Sequence, residues 1–473
     1  MRKLQFCLLA LCCCVSIMGQ NLTLEWATTT GGFSKEAIYS VNTDSEASVY
    51  ATGFFKYKVD FDPGEPVLEI KAKGDNDLYV QKLDANGKLS WVTVLGGKDS
   101  KMQGRSIVMD EAGNAYVCGS FQGTIDYETT SGTSTITSKG DIDIFVLKLN
   151  RKGKLEWIRD FGAKDSDIAY TITLDKTNHL LISGWYRETI DFDPGPGEFN
   201  LTAKGWNDGF ILKLNTDGNF IWAGSMGSQS GDAAHSLTYD SENNMIVGIY
   251  YSKVADLNPG NKNFIVTSKG SNDIAIVKLN SEGEFLWARV LGGPESDRPI
   301  STITDKQDNI YITGIQKSKF DFDPGPGQFF LEMDGHYLLK LDKDGKFLWA
   351  RSLGGQVGGT GYSMVIDPDG NLLVTGKQEQ DPSKELEGHY VSGIRTDGFV
   401  KKYSSDGELL WQEIFGGPHS DYGQSIALDR NNNIIIGGYF DKNTELKFGD
   451  SVTSFTSQGN TDYFLLKLRQ TQE

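Results

Sequence analysis

Five acidic residues occupy one equivalent position in a segment that the chain repeats, eight residues before an aspartate that ends an apolar stretch. They are Glu36, Asp167, Asp232, Asp297 and Asp421, and the same position holds Met102 and Gly359 in the other two copies. Carboxylates gathered around one opening could hold a cation or a basic group, and their mutual repulsion would raise some of their pKa values. We therefore treat them as candidate ligand contacts. The alternative, that each acid caps its own Gly-Gly-containing loop, is preferred.

A second acidic pattern is Asp-Phe-Asp-Pro-Gly, which occurs three times. Its carboxylates belong to Asp60, Asp62, Asp191, Asp193, Asp321 and Asp323. Alternate carboxylates on a tight loop are typical of calcium sites, so Ca²⁺ is a candidate ligand and these residues are candidate metal ligands. An Asp-Pro-Gly turn at the tip of a hairpin explains the same residues without an ion, and we prefer this interpretation.

Aromatic residues form a third pattern, because they follow one apolar stretch in several copies of the segment. They are Trp185, Tyr186 and Tyr250, with Trp206 in the same connection as Trp185. The sixth copy departs most from the others and contains His389 and Tyr390. Sugar rings stack on aromatic faces of this kind, so these residues are candidate contacts for a glycan. Packing of the loops is the simpler explanation for most of them.

The chain shows no motif typical of catalysis. The five histidines are dispersed without metal-ligand spacing, and no nucleophile elbow, phosphate loop or zinc motif occurs. His419 lies two residues from Asp421, which is a weak basis for a catalytic pair. We therefore predict a non-catalytic protein that binds a polysaccharide or an exported protein. A polysaccharide lyase or hydrolase on the same scaffold and a structural component of the cell surface are the alternatives.

The elements that position these residues follow from a repeat marked by tryptophan. Seven tryptophans recur at intervals of 62 to 66 residues: Trp26, Trp91, Trp157, Trp222, Trp287, Trp349 and Trp411. Each copy contains four short β-rich stretches bounded by turn residues, which indicates four strands. A glycine stands four residues before each tryptophan from Trp91 onwards, with Asp, Asn or Ser three residues before the glycine. This spacing predicts a type I turn closed by a left-handed glycine, and so a tight hairpin of strands three and four.

Seven four-stranded antiparallel units predict an all-β fold, a seven-bladed β-propeller. The chain starts with a lone fourth strand near Thr23 and ends with a lone third strand near Tyr463, so the two termini are expected to pair and close the ring. In this fold the turns between strands one and two and between strands three and four lie on one face. The connections between strands two and three and between successive blades lie on the other. The face with connections of about twenty residues is expected to carry binding.

The repeat resembles the bacterial seven-bladed β-propeller repeat (SBBP) family of exported proteins. The resemblance lies in stretches such as Asp-Glu-Ala-Gly-Asn-Ala-Tyr-Val-Cys-Gly at 110–119, Thr-Ile-Asp-Phe-Asp-Pro-Gly at 189–195 and Leu-Trp-Ala-Arg-Val-Leu-Gly-Gly at 286–293. It implies the propeller fold and supplies no catalytic motif.

Two further charged positions recur in every copy or nearly so. An aspartate ends the first apolar stretch in all seven copies, and a lysine lies in the third. Because a ligand site seldom needs seven equivalent copies, we interpret these residues as turn caps and buried ion pairs of the scaffold.

The first residues of the chain predict export. Arg2 and Lys3 precede an apolar stretch from Phe6 to Met18 that is too short to span a bilayer, so residues 1–19 are expected to be a signal peptide and residues 20–473 one propeller domain. The protein is expected to lie outside the cytoplasm, and lipid attachment at a cysteine is less favoured. A formal charge of -17 argues against nucleic acid as a partner. We expect no transmembrane segment and a monomer.

Overall fold

The repeated segments form seven separate four-stranded antiparallel sheets, the blades of a propeller. The computed structural model describes residues 22–62, 67–129, 132–332, 335–354, 360–379 and 395–470. The predicted signal peptide at residues 1–19 lies outside these described residues. Both the all-β class and the seven-bladed propeller are confirmed.

Each blade runs from a first strand at the ring centre to a fourth strand at the rim. Blade 1 comprises Ala37–Thr43, Val49–Phe55, Asp77–Leu83 and Leu89–Leu95. Blade 2 comprises Lys101–Met109, Ala115–Gln122, Asp143–Leu149 and Leu155–Phe161. Blade 3 comprises Ile168–Leu174, His179–Tyr186, Asp208–Asn215 and Phe220–Ser228. Blade 4 comprises Ala233–Tyr239, Met245–Tyr251, Asp273–Leu279 and Phe285–Leu291. Blade 5 comprises Arg298–Thr304, Ile310–Gln316, Gly335–Leu341 and Phe347–Gly354. Blade 6 comprises Thr360–Ile366, Leu372–Glu379, Thr396–Tyr403 and Leu409–Phe415.

Blade 7 closes the ring with strands from both ends of the chain. It comprises Asp421–Leu428, Ile434–Phe448, Ser451–Gln470 and, as its fourth strand, Leu22–Thr30. The last two pair antiparallel from Leu22 opposite Gln470 to Thr30 opposite Tyr463. Each would otherwise leave an open sheet edge, so their pairing completes the seventh blade in the way the sequence predicts.

The two faces of the ring differ in the length of their connections. On one, which we call the tight-turn face, short turns join strands one to two and three to four. On the other, the long-loop face, small hairpins extend from the connections between strands two and three. Described in full or in part, these hairpins are Lys58–Asp60 with Glu69–Lys71, Thr124–Thr129 with Gly132–Thr137, Thr189–Asp191 with Asn200–Thr202, and Val254–Asp256 with Ile265–Thr267.

Six of the seven recurrent tryptophans, all but Trp411, pack against the third-to-fourth turn of the next blade. The indole of Trp26 donates a hydrogen bond to the carbonyl of Ala85 in the third-to-fourth turn of blade 1, and Trp91 donates likewise to Arg151 in blade 2. A side chain added to the glycine of that turn would collide with the tryptophan ring, as at Gly87 beside Trp26. Glycine is therefore favoured here for two reasons: its φ is positive, and the neighbouring indole leaves no room for a Cβ atom.

This double requirement predicts different costs for two glycine substitutions. Gly283 has a φ of +86° and lies against Trp222, whereas Gly370 has a φ of +85° and nothing within 4 Å of the position of a Cβ atom. Gly370→Ala is expected to cost only the left-handed strain, about 1–2 kcal/mol. Gly283→Ala adds overpacking of about 1–3 kcal/mol. Urea unfolding of both variants measures the difference, and equal losses would show that the indole contact contributes nothing.

The predicted ion pairs of the scaffold are confirmed in six blades. In each, the third-strand lysine reaches the aspartate that ends the first strand, on the tight-turn face. The pairs are Lys82 with Asp44, Lys213 with Asp175, Lys278 with Asp240, Lys340 with Asp305, Lys402 with Asp367 and Lys467 with Asp429. In blade 2, Lys148 instead pairs with Glu156. Several of these lysines also donate to a carbonyl of the next blade, as Lys278 does to Lys343, so they join neighbouring blades.

Candidate functional site

The acidic residues at the start of the first strands are buried inside the ring wall. Glu36, Asp167, Asp232, Asp297 and Asp421 are each 0% exposed. Asp232 shows their role. One of its oxygens accepts the backbone N–H and the hydroxyl of Ser228, the last residue of the preceding fourth strand, and the other accepts the N–H of Ser252 after the second strand. Asp167 makes the same two backbone contacts, to Ala163 and Arg187. These carboxylates therefore tie each linker to its blade.

Burial raises the pKa values of four of these acids, Glu36, Asp167, Asp232 and Asp421. It raises the pKa of Glu36 to about 8 and those of Asp167 and Asp421 to about 7. A second carboxylate, from the third strand of the preceding blade, adds to the shift: Asp462 beside Glu36 and Asp143 beside Asp167. Carboxyl groups thus meet in pairs at these blade boundaries, where mutual repulsion is a smaller cause than burial.

These shifts predict that the protein loses stability as the pH rises. The unfolded carboxyls, with pKa values of about 4, are ionised from pH 6.5 to 8.0, whereas Asp167 and Asp421 keep a proton in the folded state until about pH 7. The folded state binds more protons, so the free energy of unfolding should fall by on the order of 2 kcal/mol over this interval.

The buried histidines His235 and His336, whose pKa values are lowered to about 4, oppose this trend only weakly, because their unfolded forms lose the remaining proton above pH 6.5 and each adds about 0.4 kcal/mol of stability by pH 8.0. Urea unfolding at pH 6.5 and 8.0 is the measurement, and Asp167→Asn should show a smaller difference between the two pH values. A free energy of unfolding that is unchanged or higher at pH 8.0 would show that these acids are ionised throughout.

At 191–195 and 321–325, which are described in full, the Asp-Phe-Asp-Pro-Gly segments form the hairpin turns that the sequence suggests. The Oδ1 atom of Asp191 accepts the backbone N–H groups of Asp193 and Phe199, and Asp193 accepts that of Gly195. Asp321 and Asp323 repeat these contacts, and Asp60 accepts from Asp62. Within the described ranges, no group of three His, Cys, Asp or Glu side chains could hold a metal ion. Calcium binding at these loops stays a prediction.

The remaining predicted contacts are distributed over several environments. Tyr186 is 0% exposed, and its hydroxyl donates to Ser225 inside blade 3. Trp206 is 77% exposed on the long-loop face. His389 and Tyr390 lie outside the described residues.

One residue from the first strand of each blade lines the central channel, at a position that was not predicted as a site from the sequence. In every blade the first strand contains a β-bulge, and the bulged residue lies five positions before the recurrent aspartate. A bulge turns a side chain away from the regular alternation of the strand. These seven residues line one cavity: Tyr39, Arg105, Tyr170, His235, Ile300, Tyr362 and Gln424.

This cavity at the ring centre has the size and chemistry of a ligand site. Its volume is about 490 Å³. Hydroxyl groups of the next residue in each strand, such as Ser40 and Ser236, contribute to the wall, and Arg298 adds a second arginine. No Asp or Glu belongs to the described lining. In a chain with a formal charge of -17, this channel is therefore a locally basic and aromatic surface.

The arginine of the channel wall is held between aromatic rings. The guanidinium carbon of Arg105 lies 5.0 Å from the ring centroid of Tyr39 and 5.9 Å from that of Tyr170. Tyr170 also packs on His235, with ring centroids 4.7 Å apart. The Nδ1 atom of His235 lies 3.2 Å from the carbonyl of Ile300, so it donates there and leaves Nε2 unprotonated. Burial, aided by two arginines, lowers the pKa of His235 to about 4.

An aromatic and cationic track continues from the channel onto blade 3. The indole of Trp185 donates to the hydroxyl of Tyr170 at 2.9 Å. The guanidinium of Arg187 lies 5.3 Å from the centroid of Trp185 and 5.6 Å from that of Trp206, so it connects the two rings. Two tryptophans predicted from sequence thus join one surface with the channel. We call Tyr170, Trp185, Arg187 and Trp206 the blade 3 track.

A similar contact joins blades 4 and 5, where the guanidinium of Arg298 in blade 5 lies 5.0 Å from the ring centroid of Tyr250 in blade 4. Tyr250 is therefore beside the channel, as its place at the end of the second strand suggests. The sequence does contain a signal for this position. The residue type at the bulge varies from blade to blade, whereas the residue after it is always Ser or Thr.

Comparison with known proteins agrees with this architecture. Residues 90–120 match the beta-propeller repeat family SBBP, and the match falls on the fourth strand of blade 1 and the first two strands of blade 2. The protein is thus a seven-bladed β-propeller that carries the SBBP repeat.

Two curated relatives are each 22% identical to the chain. An uncharacterized WD repeat-containing protein L264 of Acanthamoeba polyphaga mimivirus aligns with 89% of this chain and 36% of its own length. The regulatory protein FlaEY of Caulobacter vibrioides aligns with 59% of this chain and 31% of its own length. The chain therefore spans about a third of the length of these relatives.

Among solved structures, the hydrazine synthase of Kuenenia stuttgartiensis is 11% identical with a TM-score of 0.44, covering 89% of this chain and 95% of that one. A protein of unknown function from Dyadobacter fermentans is 9% identical with a TM-score of 0.41, covering 95% and 100%. In the part of the chain that the structure describes, no helix is long and apolar enough to cross a membrane.

Proposed function

We propose that the protein is an exported, non-catalytic propeller that binds an acidic polysaccharide at the long-loop end of its central channel. The observation that carries the proposal is the channel wall, where Arg105, Arg298 and several tyrosines meet without a carboxylate among the described lining residues. Arginine pairs with carboxylates through two parallel hydrogen bonds, and tyrosine and tryptophan rings stack on sugars. Arg2, Lys3 and the apolar stretch after them support export.

The blade 3 track gives the proposed ligand its direction. Trp206 presents an exposed ring beyond the channel, and Arg187 lies between it and Trp185. With one uronic acid unit in the channel beside Arg105, later units of the same chain would follow the blade 3 track past Trp185 and Arg187 towards Trp206. A polymer is therefore the better fit, because a single sugar would use only one end of this surface.

A second candidate function is elimination at a uronate, and it is favoured by the group of His235, Tyr170 and Arg105. In such a reaction a base removes the proton next to the carboxylate, an arginine stabilises the charge that develops, and the glycosidic oxygen leaves with a proton. The pKa of His235, lowered to about 4, makes its neutral ring a weak base. We therefore place binding first.

The test compares a hexagalacturonate with its fully methyl-esterified form, which has the same sugar chain without the charges. Titration calorimetry is expected to show saturable binding of the acid and at least tenfold weaker binding of the ester. An acidic glycan would be refuted as the ligand if the protein bound the acid and the ester with equal affinity. It would also be refuted if the protein bound no acidic oligosaccharide of a wider panel. Ultraviolet absorbance of an unsaturated product during the titration would favour the lyase.

A further inference from the structure

Lys377 places a charge at a position of the repeat that is uncharged in every other blade. It lies in the second strand of blade 6, ten residues after the aspartate that ends the first strand. The other six blades have at this position Phe54, Ser120, Trp185, Tyr250, Ile315 and Tyr439. Trp185 belongs to the blade 3 track and Tyr250 lies beside the channel. Lys377 therefore adds a cation where other blades present rings to the proposed ligand.

The ammonium group of Lys377 is held on the face of a tyrosine. Its Nζ atom lies 4.6 Å from the ring centroid of Tyr422, in the first strand of blade 7. Tyr422 pairs across the sheet with Tyr439, and the two rings are stacked with centroids 4.5 Å apart. A cation over an aromatic face is attracted by the ring. The stacked tyrosines therefore position the lysine at the boundary of blades 6 and 7.

The same pair of groups occurs between blades 4 and 5 with the two positions exchanged. There the first strand of the later blade supplies the cation, Arg298, and the second strand of the earlier blade supplies the ring, Tyr250. Tyr422 stands at the position of Arg298, seven residues before the recurrent aspartate. In blade 5 the counterparts of Tyr422 and Lys377 are Arg298 and Ile315, and both line the channel. The lysine and its tyrosine thus occupy places beside the channel.

Neighbouring rings connect this lysine with the channel wall. Burial raises the pKa of Tyr439, and the nearby Tyr362 and Tyr39, which both line the channel, raise it further. Tyr39 in turn lies 5.0 Å from the guanidinium carbon of Arg105. In a ring of seven blades the boundary of blades 6 and 7 lies opposite blade 3. The channel mouth therefore lies between Lys377 and the blade 3 track.

The charge of Lys377 is not balanced within the described part of the chain. The side chain is half-buried, and burial lowers its pKa. No carboxylate of the described residues opposes that shift. A carboxylate brought by a ligand would supply the counter-charge through a charge-assisted hydrogen bond.

We propose that Lys377, held by Tyr422 and Tyr439, binds a second carboxylate of the acidic glycan on the side of the channel mouth opposite the blade 3 track. The inference rests on the proposed function and gives the glycan a path across the whole mouth. The chain runs from the blade 3 track past Arg105 and leaves over the boundary of blades 6 and 7. Lys377 touches the ligand, whereas Tyr422 acts through Lys377 and is a positioning residue.

The test is titration calorimetry with a hexagalacturonate and with its fully methyl-esterified form. Lys377→Met is expected to weaken the acid at least tenfold, because the charge-assisted hydrogen bond is lost. Lys377→Arg keeps a cation over the ring and should stay within about threefold of the unmodified protein. Tyr422→Leu leaves the charge without its support and should weaken the acid by about threefold or more. None of these variants should change the affinity for the ester by more than about twofold.

The matched control is Lys319→Met. Lys319 lies 5.2 Å from the ring centroid of Phe330, outside the channel lining, so its loss should leave the affinity within about twofold. If the acid binds the Lys377→Met and Lys319→Met variants equally well, the lysine subsite is overturned and the channel proposal stands. An equal loss of acid and ester binding in Lys377→Met would also overturn the subsite, because the lysine would then act on the fold. An unmodified protein that binds no acidic oligosaccharide would overturn both proposals.

Discussion

Replacing Asp240 by alanine is expected to cost about 3–5 kcal/mol of unfolding free energy, because it leaves Lys278 buried without its partner. The two charged atoms lie 2.7 Å apart, with side-chain exposures of 2% for Asp240 and 10% for Lys278. Burial alone would raise the pKa of Asp240, but hydrogen bonds from Lys278, Asn244 and Glu242 outweigh it and hold the pKa below its ordinary value. The aspartate also orders the first turn of blade 4, so its loss affects two elements.

The matched control is the exposed ion pair of Lys343 and Asp344, whose atoms lie 3.0 Å apart with exposures of 59% and 55%. Asp344→Ala should leave the free energy of unfolding nearly unchanged, since solvent screens exposed pairs. Urea unfolding of both variants measures the difference. Similar losses from the two substitutions would mean that the recurrent pairs do not hold the blades together.

Removing both channel arginines is expected to weaken acidic oligosaccharide binding by about 100-fold or more, since each charge-assisted hydrogen bond contributes about 1.5–3 kcal/mol. Arg105→Gln/Arg298→Gln keeps hydrogen-bonding side chains at both positions. The variant should fold as before, because Arg105 and Arg298 belong to the cavity lining. Titration with a hexagalacturonate, combined with circular dichroism, separates lost affinity from lost structure.

Arg289→Gln is the control for this experiment. Arg289 lies 4.9 Å from the ring centroid of Trp287, nearly the distance of Arg105 from Tyr39, but it donates to Gly345 in the neighbouring turn and lies outside the channel lining. It should lower stability and leave affinity within about twofold. Full affinity in the double channel variant would show that the ligand, if acidic, binds elsewhere on the protein.

Much of the fold could be predicted because its signals are local and repeated. The tryptophan spacing, the turn glycines and the complementary terminal strands each report on contacts within one blade or between adjacent blades. The contact of Trp26 with the turn at Gly87 explains why both recur together. The pairing of lysines with aspartates was predicted for the same reason, since a seven-fold pattern favours a scaffold.

The candidate site could be predicted only in part. Trp185, Trp206 and Tyr250 were selected from sequence and lie on the blade 3 track or beside the channel. The bulge residues were not selected, because a bulge depends on how two strands pair and leaves no fixed residue type. Arg105 therefore looked like one charged residue among many.

The buried acids illustrate the opposite difficulty. Their place near the channel mouth was read from the repeat, but the sequence does not show that backbone N–H groups wrap around each carboxylate. In Asp232 both oxygens accept such bonds, from Ser228 and Ser252, which withdraws the group from solvent. The place of a residue in the repeat therefore predicts which elements lie near it. It does not predict whether the side chain faces the channel or the backbone, and this orientation decides its role.

A crystal structure of the protein with a bound hexagalacturonate would show where an acidic glycan binds. We predict a sugar carboxylate within hydrogen-bond distance of Arg105 or Arg298 in the channel, and a later sugar ring of the same chain against Trp206. An oligosaccharide bound on the tight-turn face or on the outer strands, with an empty channel, would contradict it.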